Sequence, residues 1–164
     1  MKKTISILAV ALLTLSFNAQ KLGHLNSQAI MLELPEYESA KMELESYKME
    51  LTKELEMFQK LIMEFAQDYE KIKTDMTPEA RKRKEADLME RQQNYEKKAY
   101  EAEGKLQQKE QELLQSIMLK VSNAVKAVSE KGKFDYVFDV TSLLYAGGED
   151  ISNQVKTELG ISSK

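Results

Sequence analysis

The chain has 164 residues, with 24 basic and 27 acidic side chains and a formal charge of −3. It contains no Cys and a single His, which excludes disulfide scaffolds, thiolate metal sites, Cys nucleophiles and multi-His metal centres. Six Gly, two Pro and 31% charged residues leave little material for phosphate-cradling loops and point to long helices; the acidic balance carries no footprint of a nucleic-acid binder.

Residues 1–19 read as an export signal. Met1-Lys2-Lys3 is basic, and the apolar run Ile5 to Phe17 is shorter than the roughly 20 residues a membrane helix needs. Cleavage is expected after Ala19, although Phe17 sits where a small residue is preferred; an uncleaved anchor is the alternative. Without Lys2 and Lys3 the mature chain carries 22 basic against 27 acidic side chains, or −5, and is expected in the periplasm.

Residues 21–26 predict a short strand, with Leu22, His24 and Asn26 on one face and Gly23 and Leu25 on the other. A lone strand His reads as structural. Helical periodicity follows for about 100 residues. Tyr37, Leu44, Leu51, Phe58, Phe65 and Ile72 form a column spaced by sevens, flanked first by Ala40 and Tyr47 and later by Leu55, Ile62, Tyr69 and Met76. Heptad spacing of this kind marks a coiled-coil seam. Thr77-Pro78 then ends the helix and starts another, because Pro disfavours helix at the preceding residue and suits the first helical position. A chain reversal is expected at 75–77, with a single kinked helix as the alternative.

The return helix has seam candidates Leu88, Tyr95, Ala99, Ala102, Leu106, Leu113 and Ile117. Facing residues of an antiparallel hairpin have a constant index sum. A sum of 153 pairs Phe65 with Leu88, Phe58 with Tyr95 and Leu51 with Ala102, and centres the turn between Met76 and Thr77. Beyond Ile117, Val121, Ala124, Val125 and Val128 widen the apolar arc, so this end is expected to enter a core. Gly132 is expected as the left-handed stop. Phe134, Tyr136, Phe138 and Val140 are expected on one face of a strand, Leu143-Leu144-Tyr145 as a further strand, Gly147-Gly148 as a turn, and Glu149-Asp150 as the cap of a short last helix closed by Gly160.

The expected fold is mainly α with a small β head: a long antiparallel helical hairpin projecting from an α/β hub. Residues 20–34 and 118–164 make the head, and residues 35–117 the coiled-coil arm. So few strands are marginal in water. The head is therefore expected to oligomerise through Leu22, Val128, Phe134, Tyr136, Phe138 and Leu144.

No nucleotide loop, zinc motif or catalytic pair is recognisable, and no cofactor or metal is expected. Asp135 and Asp139, four residues apart on a strand, sit about 13 Å apart and read as surface or turn carboxylates. From Glu33 to Glu70 the charge is −7, and from Lys71 to Lys98 it is +3. The run Arg81, Lys82, Arg83, Lys84 offers a basic tip for a membrane surface or acidic partners, or an ordinary solvated face. Met42, Met49 and Met63 each precede a column member by two residues, about 200° around a helix, and Met57 precedes Phe58 by one. Met42, Met49 and Met63 thus face away from the seam and Met57 lies about 100° off it, for contact with varied apolar clients, for packing on a neighbouring helix, or with no role.

The order of these segments resembles the Skp-like (OmpH family) periplasmic chaperones. The likeness rests on Gly23-His24-Leu25-Asn26-Ser27 after the signal, on Leu34-Pro35-Glu36 opening the arm and on the long hairpin. It extends to the return through Lys126-Ala127-Val128 and Phe134 to Asp139, with Leu144-Tyr145 after it. The resemblance implies a jellyfish-like homotrimer whose arms enclose unfolded outer-membrane proteins and prevent their aggregation without ATP. It implies no enzyme. A structural or adaptor coiled-coil protein of the envelope is the alternative. The best-known members are basic, whereas this mature chain is acidic outside its tip.

Overall fold

The structure, a computed structural model, describes residues 20–161; the expected signal peptide lies outside the described residues. The elements in chain order are β1 (Leu22–Leu25), α1 (Ser27–Leu32), α2 (Pro35–Ile72), a 3₁₀ turn (Lys73–Asp75) and α3 (Pro78–Gly132). Then come β2 (Tyr136–Asp139), a second 3₁₀ turn (Val140–Ser142), β3 (Glu149–Asp150) and α4 (Ser152–Glu158). The chain divides into two compact units: a mixed unit of residues 20–30 with 121–161, and a helical unit of residues 31–120.

In the helical unit, Leu34 is extended, as the residue before a proline must be, and Pro35 opens α2. The reversal is a true break: the Thr77 hydroxyl accepts the Ala80 N–H at 3.3 Å and caps α3 behind Pro78. The 38-residue α2 and the first part of α3 run antiparallel, held by an acidic-to-basic ladder. Glu54 pairs with Lys98 at 3.7 Å, Glu43 with Lys109 at 2.6 Å, and Glu36 with Lys120. These pairs lie close to the 153 register and give three acidic residues of the outgoing helix cationic partners on the return helix. Each is solvated and adds little stability, so the ladder fixes alignment more than it holds the helices together. Cations also cover the seam rings: Lys98 lies 4.4 Å from the Phe58 centroid, and Lys84 and Arg91 each 4.5 Å from that of Phe65.

Leu44, Leu51, Phe58 and Phe65 are partly covered, but Ile72, the last member of the column, is exposed. A 3.6-residue helix drifts by about 20° per heptad, so the column rotates out of the seam. Tyr69 takes over, buried, with its hydroxyl donating to Glu85 Oε1 at 2.6 Å.

The mixed unit is built on a three-stranded sheet, order β2-β1-β3, with every pairing parallel. Leu25, Ile30, Val121, Ala124, Val128, Ile151 and Val155 form its buried core. Two carboxylates fasten β2 to β1 at opposite ends. Asp135 accepts the Lys21 N–H at 2.7 Å, and Asp139 accepts both the Ser27 N–H at 3.2 Å and the Ser27 hydroxyl.

Four local expectations are corrected here. Residues Ser27–Leu32 form a helix that was not anticipated, started by Asn26, whose side chain accepts the Ala29 N–H at 2.9 Å. Leu143-Leu144-Tyr145 is not a strand; the third strand is Glu149–Asp150. It lies so close to β1 that a Cβ on Gly148 would stand 2.7 Å from the Leu22 carbonyl oxygen, so only glycine fits. Asp150 still serves the last helix, accepting the Ser152 N–H at 2.8 Å. Finally, the left-handed residue ending α3 is Lys133, with φ 53°, not Gly132. The Phe134 N–H bonds Ser129 O and the Lys133 N–H bonds Glu130 O, the paired bonds of a Schellman motif. The Phe134 ring folds onto Gly132, where a Cβ would stand 2.4 Å from the ring, so a larger residue there would displace Phe134.

Candidate functional surfaces

The α2 helix presents Met42, Met49, Met57 and Met63 to solvent, each 54–66% exposed. For Met42, Met49 and Met63 exposure follows from the seam: with one side of the helix against its partner, residues about 200° away point out, while Met57 lies about 100° round, at the flank. Lys48, Lys53 and Glu56 stand with Met49 around a shallow surface depression, so apolar and charged groups are interleaved. The return helix adds Met89, Tyr100, Met118 and Leu119, all exposed. Sequence reasoning missed these. Met89 and Met118 directly follow seam members Leu88 and Ile117, about 100° around the helix, and that offset was the available signal.

At the reversal the basic run is not a uniform patch. Arg81 folds back, donating from Nε and Nη2 to the Met76 carbonyl at 3.3 Å each, and Lys84 lies over Phe65. Lys82 and Arg83 are exposed, and Arg83 and Lys84 line an open hollow with Glu79 and Asp87. Two acidic side chains in that hollow dilute its positive field.

The sheet of the mixed unit has one open face. Register places Leu22 beside Tyr136 and His24 beside Phe138. Leu22, Tyr136 and Phe138 are exposed, and the two rings stack with centroids 6.2 Å apart. His24 Nδ1 is enclosed there with no hydrogen-bond partner. The remaining expected hub residues lie elsewhere. Val128 is buried in its own chain's core. Phe134 covers Gly23 from the opposite side of the sheet, because the Schellman turn at Lys133 breaks the strand alternation before β2 begins, and Lys21 Nζ sits 3.9 Å from its ring. Leu144 is wholly exposed at 109%, on the segment between the second 3₁₀ turn and β3.

Asp139 is held by its surroundings. Burial pushes its carboxyl up, but hydrogen bonds from Ser27 and Thr141 outweigh that and lower its pKa to about 2. Its role is a clamp, with Thr141 N–H at 2.9 Å and Thr141 Oγ1 at 2.6 Å on the oxygen not used by Ser27. Among the described residues there is no cluster of three or more His, Asp or Glu able to hold a metal, and no helix long and apolar enough to cross a membrane.

The sequence profile of the family described as "Outer membrane protein (OmpH-like)" matches residues 21–159. The chain belongs to the OmpH-like family. It is 27% identical over 146 residues to the chaperone protein Skp of Yersinia enterocolitica, covering 86% of this chain and 89% of that one. An uncharacterised Aquifex aeolicus protein is 34% identical over 116 residues, 67% of this chain and 72% of the relative. A proposed OmpH-like outer membrane chaperone from Caulobacter crescentus has the same fold, with a TM-score of 0.74 at 15% identity over 86% of this chain and 84% of that one. The OmpH-like mainly helical fold with a small sheet therefore agrees with the architecture derived from the residues.

Proposed function

We propose that this protein is an ATP-independent holdase of the periplasm, which binds unfolded outer-membrane proteins and keeps them from aggregating. Family membership supports a chaperone role, and the description of a relative of the same fold as an outer membrane chaperone supports outer-membrane proteins as the clients. The observation that carries the reading is the line of outward Met side chains on α2, set among charges. A polarisable, flexible thioether accepts many apolar partners, which suits clients that share no fixed shape. The charges keep the surface soluble when no client is bound.

The assembly proposed is a homotrimer joined through the open sheet face, with clients held between hairpins of different copies. Leu22, Tyr136 and Phe138 are the contact residues; Val128 and Phe134 support them from within the chain. The Lys82–Arg83 pair at the reversal is the part proposed to touch anionic membrane surfaces. The test is dilution of a urea-denatured outer-membrane β-barrel protein into buffer with the purified protein and no nucleotide. Suppressed light scattering near one assembly per client supports the holdase. Undiminished scattering, with binding to one folded envelope protein instead, would establish the adaptor role.

A further inference from the structure

We propose that the exposed Met side chains of the helical unit are a reversible oxidation site, through which a hypohalous acid turns client holding off. The inference rests on the client-binding reading of the same surface.

The chain has nine Met and no Cys, so no thiol competes for a two-electron oxidant. Six methionines, Met42, Met49, Met57, Met63, Met89 and Met118, are more than half exposed as residues. Met31 and Met76 are partly covered and provide an internal comparison. Access decides which sulfur reacts, since a thioether has no ionisable proton whose loss could tune its reactivity.

The chemistry is closed with hypochlorous acid as co-reactant. The sulfur lone pair attacks chlorine and displaces hydroxide, and water then replaces chloride on sulfur. The net change is thioether plus hypochlorous acid giving sulfoxide, chloride and a proton; sulfur loses two electrons and chlorine gains them. A sulfoxide reductase reverses the step with two electrons and two protons, releasing water.

Oxidation makes each side chain polar and removes the apolar area a client would cover. The six side chains are exposed and none belongs to the seam of Leu44, Leu51, Phe58, Phe65 and Tyr69, so the hairpin itself has no reason to open. Loss of holding without loss of fold is the signature expected of this placement.

The experiment treats the purified protein with graded hypochlorite, quenches it with free methionine, and maps oxygen addition by peptide mass. Circular dichroism, assembly mass and suppression of aggregation of the urea-denatured β-barrel protein are followed in parallel. The six exposed residues should gain oxygen before Met31 and Met76. The protein needed for half-suppression should rise roughly tenfold or more, as lost apolar contacts dictate, while helix content stays constant. Methionine sulfoxide reductases should restore holding. A variant with all six residues changed Met→Leu should gain no oxygen at those positions and, whatever its own starting level of holding, should lose none of it to the oxidant. Oxidised parent that holds clients as before overturns the proposal, as does a Leu variant inactivated equally. An untreated Met42→Gln, Met49→Gln, Met57→Gln, Met63→Gln variant separates the two layers. If it holds clients as the parent does, the client-binding reading fails and the oxidation site falls with it. If it loses holding while oxidised parent keeps it, only the oxidation site is refuted.

Discussion

Replacing Asp139 by Asn should remove a clamp whose strength can be read from its titration. The carboxylate accepts from the Ser27 N–H and hydroxyl on one oxygen and from the Thr141 N–H and hydroxyl on the other. An amide keeps one accepting oxygen and turns an NH₂ donor toward two of those donors. The pKa falls from an ordinary 3.8 to about 2 despite the opposing effect of burial. At about 1.36 kcal/mol per unit this corresponds to roughly 2 kcal/mol, and solvent screening of a partly accessible group brings it to about 1–2 kcal/mol. Because the folded-state value is depressed, this stabilisation is fully present above the unfolded value near 4. It is lost as pH falls toward 2. Asp150, lowered by its hydrogen bonds from Ser152, acts with the same sign, so the informative quantity is the difference between parent and Asp139→Asn. Urea unfolding at fixed protomer concentration should show a gap of about 1–2 kcal/mol at pH 7 that closes between pH 4 and pH 2. A gap that is absent at pH 7, or that persists unchanged at pH 2, would refute the clamp.

Three further outcomes follow from the geometry. Gly148→Ala should push β3 off β1, since its Cβ would meet the Leu22 carbonyl at 2.7 Å. Faster hydrogen exchange of the Ile151 N–H, which bonds His24 O at 2.9 Å, is the readout, and unchanged protection would contradict it. Cys introduced together at Phe58 and Tyr95 should cross-link within one chain on mild oxidation, whereas Cys at Phe58 and Leu88 should not; equal yields would reject the register. Tyr136→Glu should dissociate the assembly seen by light scattering, because a buried unpaired charge costs several kcal/mol. A variant of unchanged mass would show that the open sheet face is not the contact.

The hairpin was legible because a long two-helix contact repeats the same demand every seven residues, and because Thr77-Pro78 marks its end with local backbone chemistry. Gly160 was legible for the same local reason: it has φ +75° where the terminal helix stops. The small elements were not. Asn26 was read as the end of a strand, although its side chain starts a six-residue helix too short to show a period. Glu149–Asp150 carries no alternation, since both side chains are exposed and the strand is specified by backbone pairing and the close approach at Gly148. Phe134 alternates correctly with Tyr136 in the sequence but lies on the other side of the sheet. The turn at Lys133 resets the chain before the strand begins. The exposed Met surface on α2 was legible by subtraction from the seam; Met89 and Met118 on α3 carry a comparable signal, each next to a seam member, Leu88 or Ile117.

The central claim, that outward Met residues hold unfolded clients, is tested most directly by titrating a fluorescently labelled, urea-denatured β-barrel protein with the parent and with the quadruple Met→Gln variant at residues 42, 49, 57 and 63. Gln has nearly the helix propensity of Met, and the four side chains are exposed, so helix content and assembly mass should match. The account predicts a Kd at least roughly tenfold weaker for the variant, since each Met buried by a client contributes on the order of 1 kcal/mol. Equal affinity at equal helix content would contradict it, and loss of the assembly would show that these residues join the chains instead.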